Sequence, residues 1–451
     1  MDNHKKKKKV LFIAYYYHQR EMVASNRTHA IFDYLKQFDW DVTLLTVPPK
    51  DYPGLPLPNI IHARHPLGFL KLYFRFSKQD SWGLVDNKQT ENEQEPNLMP
   101  WIINKVLSSI GKVKWLSWMA VRIYSFCSLI YFPDLSSGWY RSALKAARRE
   151  LQKNKYDVIL STSGPFTAHK IAEKLHSEFR LPWVADYRDP WSQRKFTSFP
   201  VSSMRLSIEG KYERKLLKSA SIITAVSPNL ANELSSYHLK KSEVVMNGFN
   251  PENIIHDVTL RNKFTITYTG ALYTKETRNP TLLFTAVSEL ISSGIIPRED
   301  IRIEFYGPTA DWMDVEIHKY KLDDVVVQCG LVSKDVALHL QRTSQILLAL
   351  LWSGESSEGV IAGKIFEYFS ALRPILATGQ NDTISNIFEV TQVGRCISSL
   401  DCLKLQLQEW YCEYQRSGFV QYLGIETEVA KYSYREMARK TADILNDIVL
   451  C

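Results

Sequence analysis

The stretch Gly354–Gly379, GESSEGVIAGKIFEYFSALRPILATG, decides how the chain is read. A polar loop with three glycines (Gly354, Gly359, Gly363) comes first. A short helix over about Lys364 to Leu372 follows, Arg373-Pro374 ends it, and Ile375 to Ala377 reads as a buried strand. At 100° per residue Ile365, Phe369 and Leu372 share the core face. Lys364, Glu367 and Ala371 share another, which places a lysine and a carboxylate side by side in the first turn. Loop, helix and strand in this order are one step of a parallel α/β sheet.

A helix start offers unpaired N–H groups and partial positive charge, which suits a phosphate. Lys364 adds a full charge, and Glu367 one turn on is placed to accept from sugar hydroxyls. The pair therefore reads as a holder for a nucleoside diphosphate. The competing reading is an exposed i,i+3 ion pair of about 0.2–0.5 kcal/mol.

Working outward, the same alternation fills the chain. Val10 to Ala14 is a strand, Asn26 to Phe38 a helix and Asp41 to Val47 a strand; Arg27 near the helix start is expected to line a cleft at the strand ends. Further strands are read at Asp157–Ser161, Pro182–Asp186, Ser221–Val226 and 244–246. Gly164 and Gly248 follow two of them, where a small residue permits close backbone approach. A second series runs Phe264–Thr269, Ile301–Tyr306, Val325–Gln328, Ile346–Leu350 and Gly394–Ile397. Gly270 and Gly307 stand at strand ends, Val332 stands in the loop after Gly330, and residues 427–449 form one long tail helix. The boundary between the two series falls near Pro251 to Asn262. No GxGxxG follows the first strand.

Between them lies a different composition. Pro48 to Pro58 is proline-rich, and Asp86 to Asn97 (DNKQTENEQEPN) has almost nothing apolar. FLKLYFRF (residues 69–76) and Trp101 to Phe132 are aromatic and basic, which fits either packing helices or a surface at lipid headgroups. Across all 451 residues, 45% hydrophobic and 23% charged content exclude a disordered chain. The six cysteines show no metal or disulfide spacing, which favours a reducing compartment. Fifty-six Lys and Arg against 48 Asp and Glu give +8, a mild excess that fits anionic ligands or a membrane surface. The lysine run Lys5 to Lys9 leads into a strand too short for a signal peptide or a membrane span.

Five segments together resemble a retaining, family-four-type glycosyltransferase of the bacterial polysaccharide or glycan biosynthesis kind. They are YDVILSTSGPFTAHKIA (Tyr156–Ala172), LPWVADYRDPW (Leu181–Trp191), AVSPNL with VVMNGFN, YTGALYTKETRNPTLLFTAV (Tyr268–Val287) and GKIFEYFSALRPILATG. The resemblance implies the GT-B architecture, two doubly wound Rossmann-like domains facing a central cleft. On that plan residues 1–255 form the acceptor side, with an insertion over about 50–135. Residues 262–426 bind the nucleotide sugar, and 427–451 cross back as a helix. It implies transfer of a hexosyl or related sugar from a UDP-, GDP- or dTDP-linked donor to a hydroxyl of a glycan or lipid-linked acceptor, with no cofactor and no metal. Lys364, Arg278 and His169 are then the catalytic candidates. Glu367, Lys275, Gly270, Gly307, Val332, Gly363, Glu358, Arg188, Asp186 and Arg27 are the candidates for substrate binding. Family members commonly carry two glutamates separated by seven residues; here Glu367 is the second, the first position is Gly359, and Glu358 lies one residue off. The expected setting is cytoplasmic, with peripheral contact to an anionic membrane and no nucleic acid. A non-catalytic glycosyltransferase partner subunit and a nucleotide-sugar epimerase of the same fold are the alternatives.

Overall fold

The structure is a computed structural model and describes residues 7–18, 23–49, 57–65, 131–194, 201–272, 275, 278–352 and 363–450. Glu358, FLKLYFRF, the acidic-polar run 86–97 and Trp101 to residue 130 lie outside them.

Thirteen strands of the described residues fall into two parallel sheets. The first holds β1 (Lys8–Ile13), β2 (Trp40–Thr46), β3 (Ile60–His62), β4 (Val158–Thr162), β5 (Trp183–Tyr187), β6 (Ile222–Ala225) and β7 (Ser242–Val244), in the order β3-β2-β1-β4-β5-β6-β7. Val10 faces Val158 across β1 and β4, and Ile159 faces Trp183 across β4 and β5. Its helices are α1 (Val23–Tyr34), α2 (Tyr140–Lys153), α3 (Thr167–Phe179), α4 (Ser203–Leu217) and α5 (Pro228–His238). The second sheet holds β8 (Phe264–Thr269), β9 (Ile301–Tyr306), β10 (Val326–Gly330), β11 (Ile346–Leu350), β12 (Ile375–Thr378) and β13 (Gly394–Ile397), in the order β10-β9-β8-β11-β12-β13. Its helices are α6 (Thr281–Ser292), α7 (Asp311–Lys319), α8 (Lys334–Thr343), α9 (Gly363–Phe369), α10 (Asp382–Thr391) and α11 (Leu400–Ser417). The chain ends in α12 (Glu426–Ala430) and α13 (Tyr434–Leu450). By backbone contacts it divides into two compact units, one of Lys8–Met22 and Val42–Ile222, the other of Met1–Lys7, Val23–Asp41 and Ile223–Cys451.

The central strands are buried on both faces, as a sheet covered by helices on each side requires. β4, β5, β8 and β11 have every residue buried, and the apolar runs that announced them in the sequence are those cores. Ser227 caps α5 by accepting from the Leu230 amide, with Pro228 at the first helical position. The two expected series of strands are therefore present, with shifts of one or two residues at most ends.

Three local expectations change. α9 stops at Phe369, because Leu372 adopts a left-handed φ of 54° ahead of Arg373-Pro374. The strand expected at 244–246 is β7, and only Val245 extends it, donating to the Ala225 carbonyl at 2.9 Å. The tail is two helices rather than one. Its backbone breaks at Tyr432-Ser433 to pair with Phe249: the Phe249 amide donates to the Tyr432 carbonyl at 3.0 Å, and the Tyr434 amide donates to the Phe249 carbonyl at 2.8 Å. Gly248 belongs to this contact, since a Cβ there would lie 2.4 Å from the Tyr432 oxygen. Beyond the break, α13 packs against α1.

Candidate functional site

β8 ends on Tyr268-Thr269, with Gly270 next, and Lys364 and Arg278 meet there. Lys364, in the first turn of α9, donates to the Thr269 carbonyl at 2.6 Å and lies 4.1 Å above the centre of the Tyr268 ring. Arg278, 8% exposed, donates to the Tyr268 hydroxyl and to the Ala271 carbonyl, both at 3.0 Å. The Tyr268 hydroxyl in turn donates to Ala271 at 2.9 Å. Two cations thus flank one buried phenol. Burial pushes the Lys364 ammonium below its usual range, and Arg278 adds to that. Burial alone would raise the Tyr268 phenol, but Lys364 and Arg278 outweigh it and hold the phenol low. No carboxylate pairs with Lys364 among the described residues; its ammonium rests on a carbonyl and a ring face.

Glu367 lies one turn along α9. Its Oε1 accepts from Gln341 Nε2 at 2.8 Å, and the same amide nitrogen donates to the Thr269 hydroxyl at 2.9 Å. Gln341 is fully buried on α8. The Thr269 amide donates to the Tyr368 hydroxyl at 3.0 Å. Thr269 therefore fixes Lys364 directly and Glu367 through Gln341. The exposed Lys364–Glu367 ion pair that the spacing allowed does not form; each side chain is tied to β8 instead.

Gly270 makes this approach feasible. Its φ is 128°, and a Cβ would fall 2.1 Å from Lys364 Nζ. Gly307, after β9, fits against the Gly270 backbone, where a Cβ would come within 2.3 Å of its oxygen. Gly363 opens α9, and Val332 is half-buried between β10 and the Ser333 cap of α8. Lys275 pairs with Glu316 of α7 at 2.5 Å.

The remaining candidates sit elsewhere. His169 of α3 is fully buried. Its Nδ1 is 2.8 Å from the Ser161 hydroxyl, which also accepts from Trp183 Nε1 at 2.7 Å, and its ring stacks on Tyr187. Burial lowers its pKa to about 4, with Asp186 and Glu213 opposing, so it is neutral at ordinary pH. Asp186, 2% exposed, accepts from the Thr162 hydroxyl at 2.7 Å. The Arg188 amide donates to the Ser163 hydroxyl at 3.0 Å. Arg27 is buried on α1, where Nη1 donates to the Met246 carbonyl, Asn247 Oδ1 and the Met437 sulfur of α13. The structure thus brings Lys364, Arg278, Glu367, Gly270 and Gly307 together, and it places Arg27 as a tie within its own unit.

Sequence reading missed Tyr268, Thr269 and Gln341 as working parts. The position of Tyr268-Thr269 directly before a strand-end glycine was the available signal. Gln341 gave none, being a polar residue in a mostly polar helix. It also missed Asp134, a half-buried carboxylate that accepts from the Thr167 amide and hydroxyl at the start of α3.

Residues 108–253 match the family described as Glycosyltransferase Family 4. Among solved structures, sucrose-phosphate synthase from Thermosynechococcus elongatus is similar over 98% of this chain and 100% of its own, with TM-score 0.61 and 11% identity. Anabaena HepE, solved with UDP and glucose, matches over 98% and 100% with TM-score 0.56 and 12% identity. WaaG, a glycosyltransferase involved in lipopolysaccharide biosynthesis, matches over 97% and 99% with TM-score 0.52 and 12% identity. No curated protein sequence matches the chain. The GT-B fold expected from the sequence is the fold observed, and the match over 108–253 bears out the family-four resemblance.

Proposed function

From a chain of GT-B fold with a Glycosyltransferase Family 4 segment, we propose a retaining glycosyltransferase that uses a nucleoside-diphosphate sugar as donor. The observation that carries this reading is the convergence of Lys364 and Arg278 on Tyr268 at the end of β8. Two cations around one buried phenol suit the two charges of a diphosphate. Glu367, with Oε1 already on Gln341, keeps Oε2 for a ribose hydroxyl. As the sugar departs, negative charge grows on the diphosphate, and fixed cations in a shielded site stabilise it without rearranging. They supply the positive charge that a divalent ion would otherwise bring, so the proposed reaction is metal-independent. The acceptor hydroxyl attacks from the face the diphosphate leaves, which retains the anomeric configuration.

In this proposal residues 262–426 hold the donor and residues 1–255 the acceptor, a glycan or a lipid-linked sugar of surface polysaccharide synthesis. Asp186 and Arg188 stand at the end of β5 on that side. His169 is a positioning residue, since its buried ring is committed to Ser161 and Tyr187. The support for a UDP-type donor is that HepE was solved with UDP and glucose. No helix among the described residues is long and apolar enough to cross a membrane, and the proposed setting is the cytoplasmic face.

A panel of UDP-, GDP- and dTDP-sugars tests this by thermal shift and product analysis. One nucleotide class should raise the melting temperature and be slowly hydrolysed, with retained configuration in the released sugar, and the shift should shrink in Lys364→Ala. Absence of any shift across the panel points to a non-catalytic partner subunit. Conversion of the donor alone into its epimer replaces transfer with epimerisation.

A further inference from the structure

The start of α3 follows the end of β4 by one short loop, the place where a parallel sheet offers helix amides to an anion. In this chain those amides are already taken. Thr167 donates its amide and its hydroxyl to Asp134, at 2.9 and 2.8 Å. The Ala168 amide donates to the Pro165 carbonyl at 3.2 Å, and the His169 and Lys170 amides donate to the Phe166 carbonyl at 3.0 and 3.2 Å. Every amide of the first turn therefore has its partner inside the chain. The Asp134 carboxyl fills the position a phosphate would take, and the Ser136 amide fixes it again by donating to Oδ1 at 2.9 Å.

The neighbouring strand ends present rings. Tyr15, Tyr16, Tyr17 and His18 follow β1, His62 closes β3, and all five are half-buried. Tyr15 stands edge-on to Tyr16, with 5.0 Å between ring centres, and to the buried Trp139 at 5.2 Å. Tyr17 meets His18 edge-on at 5.0 Å, and His18 Nε2 lies 2.8 Å from His62 Nε2. Burial lowers the His62 pKa, so that ring is neutral at ordinary pH. Burial also pushes the Tyr16 phenol up to about 12, with Asp134 adding to the rise and Arg188 opposing it. Tyr16 thus lies where the rings meet the start of α3.

Uncharged rings beside an anion position that the chain itself occupies suit one class of ligand. Sugar C–H groups pack on ring faces, and sugar hydroxyls find partners at the polar edges of phenols and imidazoles. We propose that the strand ends around Tyr16 and His18 seat an uncharged sugar of the acceptor, and exclude one carrying a phosphate or carboxylate where it meets α3. The inference rests on the proposed function only in calling this sugar the acceptor.

Saturation-transfer NMR on the full chain, with no nucleotide present, reads it. Methyl glucoside, methyl galactoside and methyl N-acetylglucosaminide are compared with glucose 6-phosphate and glucuronate. At least one neutral glycoside should bind, and the two anions should bind at least about tenfold more weakly, the scale for a charge that meets no donor. Tyr17→Ala with His18→Ala should weaken the neutral sugar by about tenfold, as loss of ring contacts does. Asp134→Ala frees the Thr167 amide and should bind inorganic phosphate in a calorimeter where wild type does not. Asp134→Asn keeps an oxygen for Thr167 and should not gain phosphate. Glucose 6-phosphate bound by wild type as tightly as a neutral glycoside overturns the proposal and makes Arg188 the reader of an anionic acceptor. Binding of none of the neutral glycosides overturns it too, as does a folded Asp134→Ala protein with no gain in phosphate binding. If Asp134→Ala fails to fold, the comparison of neutral and charged sugars on wild type decides. Failure here leaves the donor reading standing, because nucleotides alone test that; failure of the nucleotide panel leaves the sugar subsite standing.

Discussion

Thr269 shows how few atoms set the proposed donor site. Its carbonyl holds Lys364, its hydroxyl takes Gln341 and through it Glu367, and its amide gives to Tyr368. Lys364→Ala should lower turnover by roughly two or more orders of magnitude, the scale for losing one fixed charge against a developing anion. A folded Lys364→Ala protein with near-normal turnover refutes the role. Gly270→Ala should reach a similar loss by another route. The new Cβ displaces Lys364 Nζ and must adopt a φ of 128°, which adds a stability cost of about 1–3 kcal/mol. Urea unfolding and turnover read the two effects separately. Glu367→Gln should weaken binding of the free nucleoside diphosphate by about 1–3 kcal/mol. Gln341→Leu should do so too, by releasing Glu367; calorimetric titration compares them, and a change confined to acceptor affinity misplaces the donor site. Lys364 and Glu367 were legible because both sit in one short motif at a helix start. Gln341 was not, because what gives it a role is a contact to a carboxylate 26 residues away.

Elements were legible where one local signal sufficed. β8, β9, β11 and β13 match their expected bounds: ILLAL of β11 is an apolar run, FTITYT of β8 and IRIEFY of β9 alternate with period two, and each of the four is closed by a turn or a polar loop. α2 and α4 were not singled out. Their buried residues are few and mixed with charge: Ala143, Leu144 and Ala147 in one, and Arg205, Glu209 and Glu213 among the inner residues of the other. The break between α12 and α13 had a local signal that the reading passed over: Ser433 and Glu436 have capping-box spacing, and Ser433 Oγ accepts from the Glu436 amide at 3.3 Å. The backbone pairing with Phe249, nearly two hundred residues upstream, had none. Gly248 is the residue that lets that pairing close. Gly248→Ala should destabilise the fold by about 1–3 kcal/mol, as forced overpacking does, because its neighbour is backbone that cannot swing away. Hydrogen exchange at the Phe249 and Tyr434 amides should accelerate with it. Unchanged protection at both amides would show that the tail contact tolerates a methyl group.

For the whole molecule, the two-sheet plan was readable because β/α alternation repeats throughout the chain, whereas the energetics of burying single ionisable groups were not. His169 is the clearest case. Its folded pKa, about 4, lies below the ordinary value of 6.5, because burial disfavours the charged ring. A base held neutral contributes stability that is complete above pH 6.5 and is lost as the pH falls toward 4, where the unfolded chain binds a proton that the folded chain refuses. The full effect is about 3 kcal/mol at 1.36 kcal/mol per pKa unit. Asp134 acts in the opposite sense. Burial raises its carboxyl, so its contribution is complete at low pH and declines as the pH rises. Acid also increases the net charge from +8, adding repulsion that no single residue owns. The raw slope of stability against pH therefore mixes these with other shifted groups, Glu178 and Glu436 among them, and a comparison isolates one. His169→Phe keeps a ring against Tyr187 and removes the titration together with the contact to Ser161. The variant should be less stable than wild type at pH 7, through the partner lost to Ser161. Its further loss between pH 7 and 4.5 should be smaller than that of wild type by about 2–3 kcal/mol. Exchange of the β4 and β5 amides reports the unit that carries His169. Parallel curves for the two proteins across that range would mean that the ring is protonated in the fold or reached by water.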